Sequence, residues 1–247
     1  MLLSEPVAAS FCQKGFEVHL STECLNIGLC LESYSRVRPF SDYIDGRLQG
    51  YERIHVMRYE MHQRMHLLDA FAADAGICLE RRLPRLRTGF ERLICEEYGL
   101  ICPNTSSWFA HMRQWPEDRF DLLKQRLIKS TPLRWVRLKP EHSFVQMMSL
   151  IQHADCVITN DSGPAHIAQA MGRRTIVLFG STSAEYLLLS PAAIGITGSS
   201  GCTGCRHVAV DRSIACAHPI CIESISVDEV AERVTAMCVD LRQSCTK

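Results

Sequence analysis

An α/β fold is predicted for this chain by two observations. Short apolar segments alternate with longer segments of helical period along its length. In the second half, an apolar run ends in a polar glycine turn that leads into a helix, and another apolar run follows directly. The length of 247 residues and the 47% hydrophobic content allow a sizeable core, in one large domain or two small ones.

The elements follow in order. Residues 16 to 22, 37 to 40 and 53 to 58 read as strands. Residues 62 to 76 read as a helix with Met65, Leu68, Ala72 and Ala75 on one face and Gly76 as its stop. The stretch from Leu83 to about Ser107, with Pro84, Gly89, Gly99, Pro103 and Asn104, reads as a crossing between two halves. Two domains are therefore expected, 1–104 and 105–247. In the second, "SSWFAHM" reads as a strand and "WPEDRFDLLKQRLIK" as a helix, with Pro116 and acids at its start and Lys124, Arg126 and Lys129 toward its end. A strand in "PLRWVRL" and a helix in "SFVQMMSLIQHA" follow. The last helix begins at Ser226 with Glu229 three residues on, a capping box.

The totals exclude several classes. The formal net charge is zero and the pI is near 7, which predicts no nucleic-acid partner. No apolar run reaches the ~18 to 20 residues of a membrane-crossing helix, so membrane association is expected to be peripheral at most. The start "MLLSEPVAASF" lacks the basic region of a secretory signal, and the cytoplasm is the predicted compartment.

The chemistry concentrates in "CVITNDSGPAHIAQAMGRRTIVLFGST", residues 156 to 182. If Cys156 to Thr159 form a buried parallel strand, its carboxyl end delivers Asn160 to Gly163 to the mouth of the sheet, where open α/β folds bind ligands. The amides of Ser162, Gly163 and Ala165 would then face an anion at the positive end of the next helix, and Gly163 permits close approach. Pro164 suits the first helical turn, and His166, one turn in, reaches toward a phosphate or sugar oxygen. The same residues also serve ordinary capping, since Asp or Ser before a helix is common. Thr182, in the turn after the next strand, favours binding.

These residues resemble the signature of glycosyltransferase family 9, the ADP-heptose:lipopolysaccharide heptosyltransferases. "DSGPAHIA" is similar to its donor motif, and "FGST" to the strand end that follows. "RQWPEDRFDLL" resembles its basic-x-Trp-Pro segment, "MHLLDAFAADAGI" one of its first-domain helices, and "LLSEPVAASFCQKGFEVHLST" its opening helix and second strand. The resemblance implies a GT-B fold, in which two Rossmann-like domains face a cleft. It also implies heptose transfer from ADP-heptose, or a similar nucleotide sugar, to a hydroxyl of lipopolysaccharide inner core or protein, with no catalytic metal. Asp161, Ser162, Gly163, His166, Thr182 and Arg113 match the family's donor-binding positions, Arg113 where a basic residue can neutralise the diphosphate.

Against the family pattern, the first strand and its following Gly-Asp are absent. The chain opens beyond that motif, so the first domain is expected to lack its first strand and the catalytic base to lie before Met1. Two readings stay open beside the transferase: a catalytically inactive nucleotide-sugar-binding relative or fragment, and a metal-stabilised interaction protein. The latter rests on four of the thirteen cysteines, Cys202, Cys205, Cys216 and Cys221. Their C-x2-C-x10-C-x4-C spacing suits two ligand pairs round one zinc or iron ion, in a structural role.

Overall fold

The computed structural model describes residues 2–58, 62, 64–105, 110–205 and 216–244, with only the helical backbone for 239–244. The chain forms two compact α/β units, Met1–Gly89 and Phe90–Lys247.

In unit 1, a 3-10 turn (Leu2–Ser4) leads into α1 (Glu5–Gln13), then β1 (His19–Thr22), α2 (Leu25–Gly28), β2 (Arg36–Pro39), α3 (Ser41–Ile44) and α4 (Leu67–Asp74). β1 and β2 form a two-stranded parallel sheet with His19 opposite Arg36. Leu2, Leu3, Val7, Leu31, Leu68, Phe71 and Leu86 are buried at its core. Glu5 is buried as well. Its carboxylate accepts the Arg85 amide at 2.8 Å and the Ser33 hydroxyl, and the Arg85 guanidinium lies 3.6 Å away. A buried carboxylate persists only with such partners.

Two expectations for this unit change. The expected strand at 53 to 58 is not one: among the described residues the segment joins no β-ladder, and Ile54 is half exposed. The helix expected from 62 starts at Leu67, because the His66 imidazole accepts the Leu68 amide at 3.1 Å and acts as the N-cap. Gly76, at φ +66°, ends it as expected.

Unit 2 begins with β3 (Tyr98–Cys102). After a 3-10 turn (Ala110–Met112) come α5 (Glu117–Ser130), β4 (Arg134–Arg137), α6 (Phe144–Gln152), β5 (Cys156–Asn160), α7 (Gly163–Ala170), β6 (Arg174–Phe179), α8 (Ala184–Leu187), β7 (Ala193–Thr197), α9 (Ile220–Glu223) and α10 (Val227–Ser244). The five strands are all parallel, in the order β4-β3-β5-β6-β7. The strand expected in "SSWFAHM" falls largely on 106–109, outside the described residues; Ala110–Met112 is the 3-10 turn.

The units part at Gly89, not at 104. β3 lies inside what read as a crossing, yet all five of its residues are buried. Gly99 misled the reading. It breaks no strand: a Cβ there would stand 2.3 Å from the Trp135 ring on β4, so glycine is what lets the indole lie flat on β3. Trp115, Phe120, Leu123, Leu127, Ile158, Ile176, Leu178, Ile225, Val230 and Val234 fill the core. Burying each large apolar side chain contributes ~1.5 to 3 kcal/mol. Ser143 and Gln146 close a capping box on α6, and the Ser226 hydroxyl accepts the Glu229 amide at 3.1 Å at the start of α10.

Candidate functional site

From β3 the chain runs to β4 on one side, then returns to β5 on the other. The strand order therefore reverses between β3 and β5. Open parallel sheets bind ligands outside the carboxyl ends of their strands at such a reversal. Three chain segments leave the sheet there. The segment after β3 carries Arg113, the turn after β5 carries Asp161 to Gly163, and the turn after β6 carries Gly180 to Thr182.

Asp161 joins them. It is 2% exposed. Its Oδ2 accepts a hydrogen bond from Arg113 Nη1 at 3.2 Å and another from Thr182 Oγ1 at 2.8 Å. His166 Nε2, on α7, stands 3.9 Å from its Oδ1. Asp161, Arg113, His166 and Thr182 are thus brought together from positions up to 69 apart in the sequence. About a fifth of the Arg113 and His166 side chains remains exposed, so both reach the surface of the crevice.

Ser162 caps α7 in an extended conformation, φ −156°. Its hydroxyl turns inward to the Asn160 carbonyl and to Thr159 Oγ1, both at 3.2 Å. The expected set of three free amides becomes two. The Ala165 amide is taken by the Ser162 carbonyl at 3.0 Å, leaving those of Ser162 and Gly163 at the helix start. A Cβ on Gly163 would meet nothing within 4 Å, so the space above this helix end is open.

Asn160 was not among the expected site residues, yet it orders the crevice. Fully buried at the last position of β5, it accepts the Trp115 amide on Oδ1 at 3.0 Å. Its Nδ2 donates to the Pro103 carbonyl at 2.6 Å. It so fastens both ends of the segment bearing Arg113. The signal in the sequence was an amide side chain closing an apolar strand. Thr105, beyond β3, is also nearly buried and was not singled out; its hydroxyl meets no partner among the described residues.

The four cysteines do not form the expected metal site. Among the described residues, no three His, Cys, Asp or Glu side chains gather into a group that could hold an ion. The thiols face carbonyls instead: Cys205 Sγ lies 3.9 Å from Ser181 O, and Cys216 Sγ 3.2 Å from His218 O. Cys202 is exposed while Cys221 is buried. They are neighbours nonetheless. Burial pushes the Cys221 thiol pKa up, the Ile222 amide opposes this, and Cys202, Cys205 and Cys216 raise it further.

Residues 123–210 match glycosyltransferase family 9 (heptosyltransferase), a span that includes Asp161, Ser162, Gly163, His166 and Thr182. Over this span the chain is similar to glycosyltransferase family 9. Arg113 lies before the matched span. No curated protein matches the chain. Among solved structures, Escherichia coli ADP-heptose lipopolysaccharide heptosyltransferase II is 15% identical, with a TM-score of 0.68 over 98% of this chain and 96% of that one. Escherichia coli heptosyltransferase WaaC with ADP is 13% identical, with a TM-score of 0.60 over 96% and 95%. The iron-containing dodecameric glycosyltransferase TibC of enterotoxigenic Escherichia coli is 15% identical, with a TM-score of 0.59 over 74% of this chain. The chain spans 55% of TibC's length. At these identities the likeness is one of fold: the chain has the α/β, GT-B-type fold of these transferases. No helix among the described residues is long and apolar enough to cross a membrane.

Proposed function

We propose that unit 2 binds the diphosphate of a nucleotide sugar of the ADP-heptose type, and that the chain transfers the sugar to a hydroxyl of lipopolysaccharide inner core or of a protein. The observation that carries this reading is the meeting of Arg113, Asp161, His166 and Thr182 at the sheet's reversal, beside the open amino end of α7. ADP and ADP-heptose are bound in solved structures of the similar transferases WaaC and TibC, which supports the donor class.

The residues divide the work. The amides of Ser162 and Gly163 and the dipole of α7 face the anion. Arg113 and His166 contribute hydrogen-bond donors to its oxygens. Asp161 itself repels phosphate. Its part is to hold Arg113 and Thr182 in place. When the sugar leaves the diphosphate, charge grows on ADP, and donors already fixed in position stabilise it without reorganising. This reading asks for no catalytic metal.

Calorimetry with ADP tests it. Arg113→Ala and His166→Ala should each weaken binding by ~1 to 3 kcal/mol, the value of a lost charge-assisted hydrogen bond. ADP binding without sugar transfer would identify a binding-only relative. Equal ADP affinity in the wild type and both variants would leave the turn a structural cap and end the proposal.

A further inference from the structure

Tyr51 reaches back to the two-stranded sheet of unit 1. Its hydroxyl lies 2.6 Å from His19 Nδ1 on β1, and the two rings meet edge to face with centroids 5.3 Å apart. On the far side of the imidazole, Nε2 is 3.0 Å from Glu17 Oε1. Arg38, on β2, bonds the same phenol, while its Nε donates to Asp42 Oδ2 at 2.8 Å. His19 and Ser21 share a face of β1, and Arg38 stands opposite Ser21, so imidazole and guanidinium project from one side of the sheet.

The protons can be placed by elimination. A guanidinium donates and never accepts, so the phenol oxygen is the acceptor toward Arg38. The phenol has one proton to give, and a neutral imidazole has one bare nitrogen. The Tyr51 proton therefore points at Nδ1, and the Nε2 proton at Glu17. The bond from His19, and then one from the Ser35 hydroxyl at 3.0 Å, hold the Glu17 carboxyl below its usual range. A hydroxyl backed by imidazole and carboxylate, with a cation fixed on its oxygen, is how a weak nucleophile is made a strong one. Pinning residue 51 to the sheet would take one of these bonds and leaves the base and the cation on one oxygen unexplained. Tyr51 stays partly exposed, as does about a fifth of the His19 side chain.

We propose that Tyr51 is an activated phenol and a sugar acceptor in this chain's own transferase reaction. Its oxygen forms a bond to the anomeric carbon, and the bond from that carbon to the diphosphate breaks. ADP leaves with the electron pair, and the phenol proton passes to His19 Nδ1. The sugar-acceptor role rests on the donor-site reading above; the activated phenol does not.

Two measurements on the full chain test this. An arylsulfonyl fluoride forms an S–O bond with a nucleophilic phenol as fluoride leaves, and peptide mass spectrometry reads the site. Tyr51 should label faster than Tyr43, which is more exposed, at 37%, and has no imidazole partner among the described residues. His19→Gln should slow Tyr51 by ~10²-fold or more, the lower end for a positioned base. Incubation with ADP-heptose should place one heptosyl group on Tyr51. Tyr51→Phe should take up none at that position, with its Kd for ADP unchanged. Labelling of Tyr51 no faster than of Tyr43, or indifferent to His19→Gln, overturns the activated phenol. If ADP binds and Tyr51 stays bare in ADP-heptose, the acceptor role alone falls. If ADP does not bind, the donor-site reading falls and the acceptor role with it, while the labelling rates still decide the phenol.

Discussion

Removal of the Asp161 carboxylate isolates what holds the crevice together. In Asp161→Ala, the Thr182 hydroxyl loses an ionised acceptor, worth ~1.5 to 3 kcal/mol. Arg113 loses its charge partner. Breaking a fully buried pair from one side costs ~3 to 5 kcal/mol, but about a fifth of the Arg113 side chain is exposed and water reclaims part of that. The two losses overlap, because a relaxed Arg113 and Thr182 find water once the turn loosens. A total of ~2 to 4 kcal/mol follows. Arg113→Ala leaves Asp161 buried with the Thr182 bond and the distant His166, and should cost ~1 to 3 kcal/mol. The double variant has no stranded charge, so it should fall short of the sum by ~1 to 2 kcal/mol. Urea unfolding followed by tryptophan fluorescence reads this in the right place, since all three tryptophans of the chain belong to unit 2. Additive effects within ~0.5 kcal/mol, or a loss below ~0.5 kcal/mol for Asp161→Ala, would refute the account of Asp161 as the tie between the three segments.

Two other outcomes are expected. Asn160→Ala strips acceptor and donor from two buried backbone groups, Trp115 N–H and Pro103 C=O, and should destabilise unit 2 by ~2 to 4 kcal/mol in the same urea assay. Asn160→Asp should not rescue it, because a carboxylate cannot donate to the carbonyl. Alkaline pH should also weaken the fold. Burial pushes the thiols of Cys102, Cys156 and Cys221 above their ordinary value of 9.0, so the native state keeps protons that the unfolded chain releases. This stability is whole below pH ~9 and is lost as the pH rises beyond it, by up to ~1.4 kcal/mol per pH unit for each thiol. Tyr98, pushed up to about 12 by burial, adds to the loss above pH ~10. Thermal melts between about pH 8 and 10.5 check this, and Cys156→Ala should flatten the slope.

Much of the crevice was legible in the sequence because its chemistry is local. Strand β5, the polar turn and α7 are contiguous, and β6 follows after a short turn. One apolar run, one cap and one helix period therefore define them. Arg113, Asp161 and Thr182 were expected at one site and are bonded at one site. What escaped depends on distant partners. Gly99 reads as a loop residue until Trp135 is placed on it. His66 reads as one more polar residue before a helix until its ring turns back on the Leu68 amide. Residues 53 to 58 have strand-like alternation, but no neighbour supplies a ladder, and alternation alone cannot supply one. The cysteine spacing suits a metal, but spacing does not decide whether a thiol lies against a carbonyl two residues or twenty-four residues away.

The shifted boundary between the units also bears on the chemistry. Had unit 2 begun at 105, its sheet would lack β3, and with it the reversal of strand order that opens the crevice. The segment leading to Arg113 would have no fixed origin. With β3 in place, paired to β5 from Gly99–Cys156 to Cys102–Thr159, Pro103 leaves the sheet beside the end of β5. Asn160 can then hold the Pro103 carbonyl with one end of its amide and the Trp115 amide with the other. Thirteen positions separate Pro103 from Trp115 when both are counted, so one buried side chain closes a loop whose ends could otherwise drift. Arg113 sits two residues from the clasped amide of Trp115, which leaves it little freedom to leave Asp161. The place of Arg113 in the crevice thus depends on a strand and on an amide side chain remote from it, and on the proposed donor-site reading the Asn160→Ala variant should lose ADP affinity alongside stability.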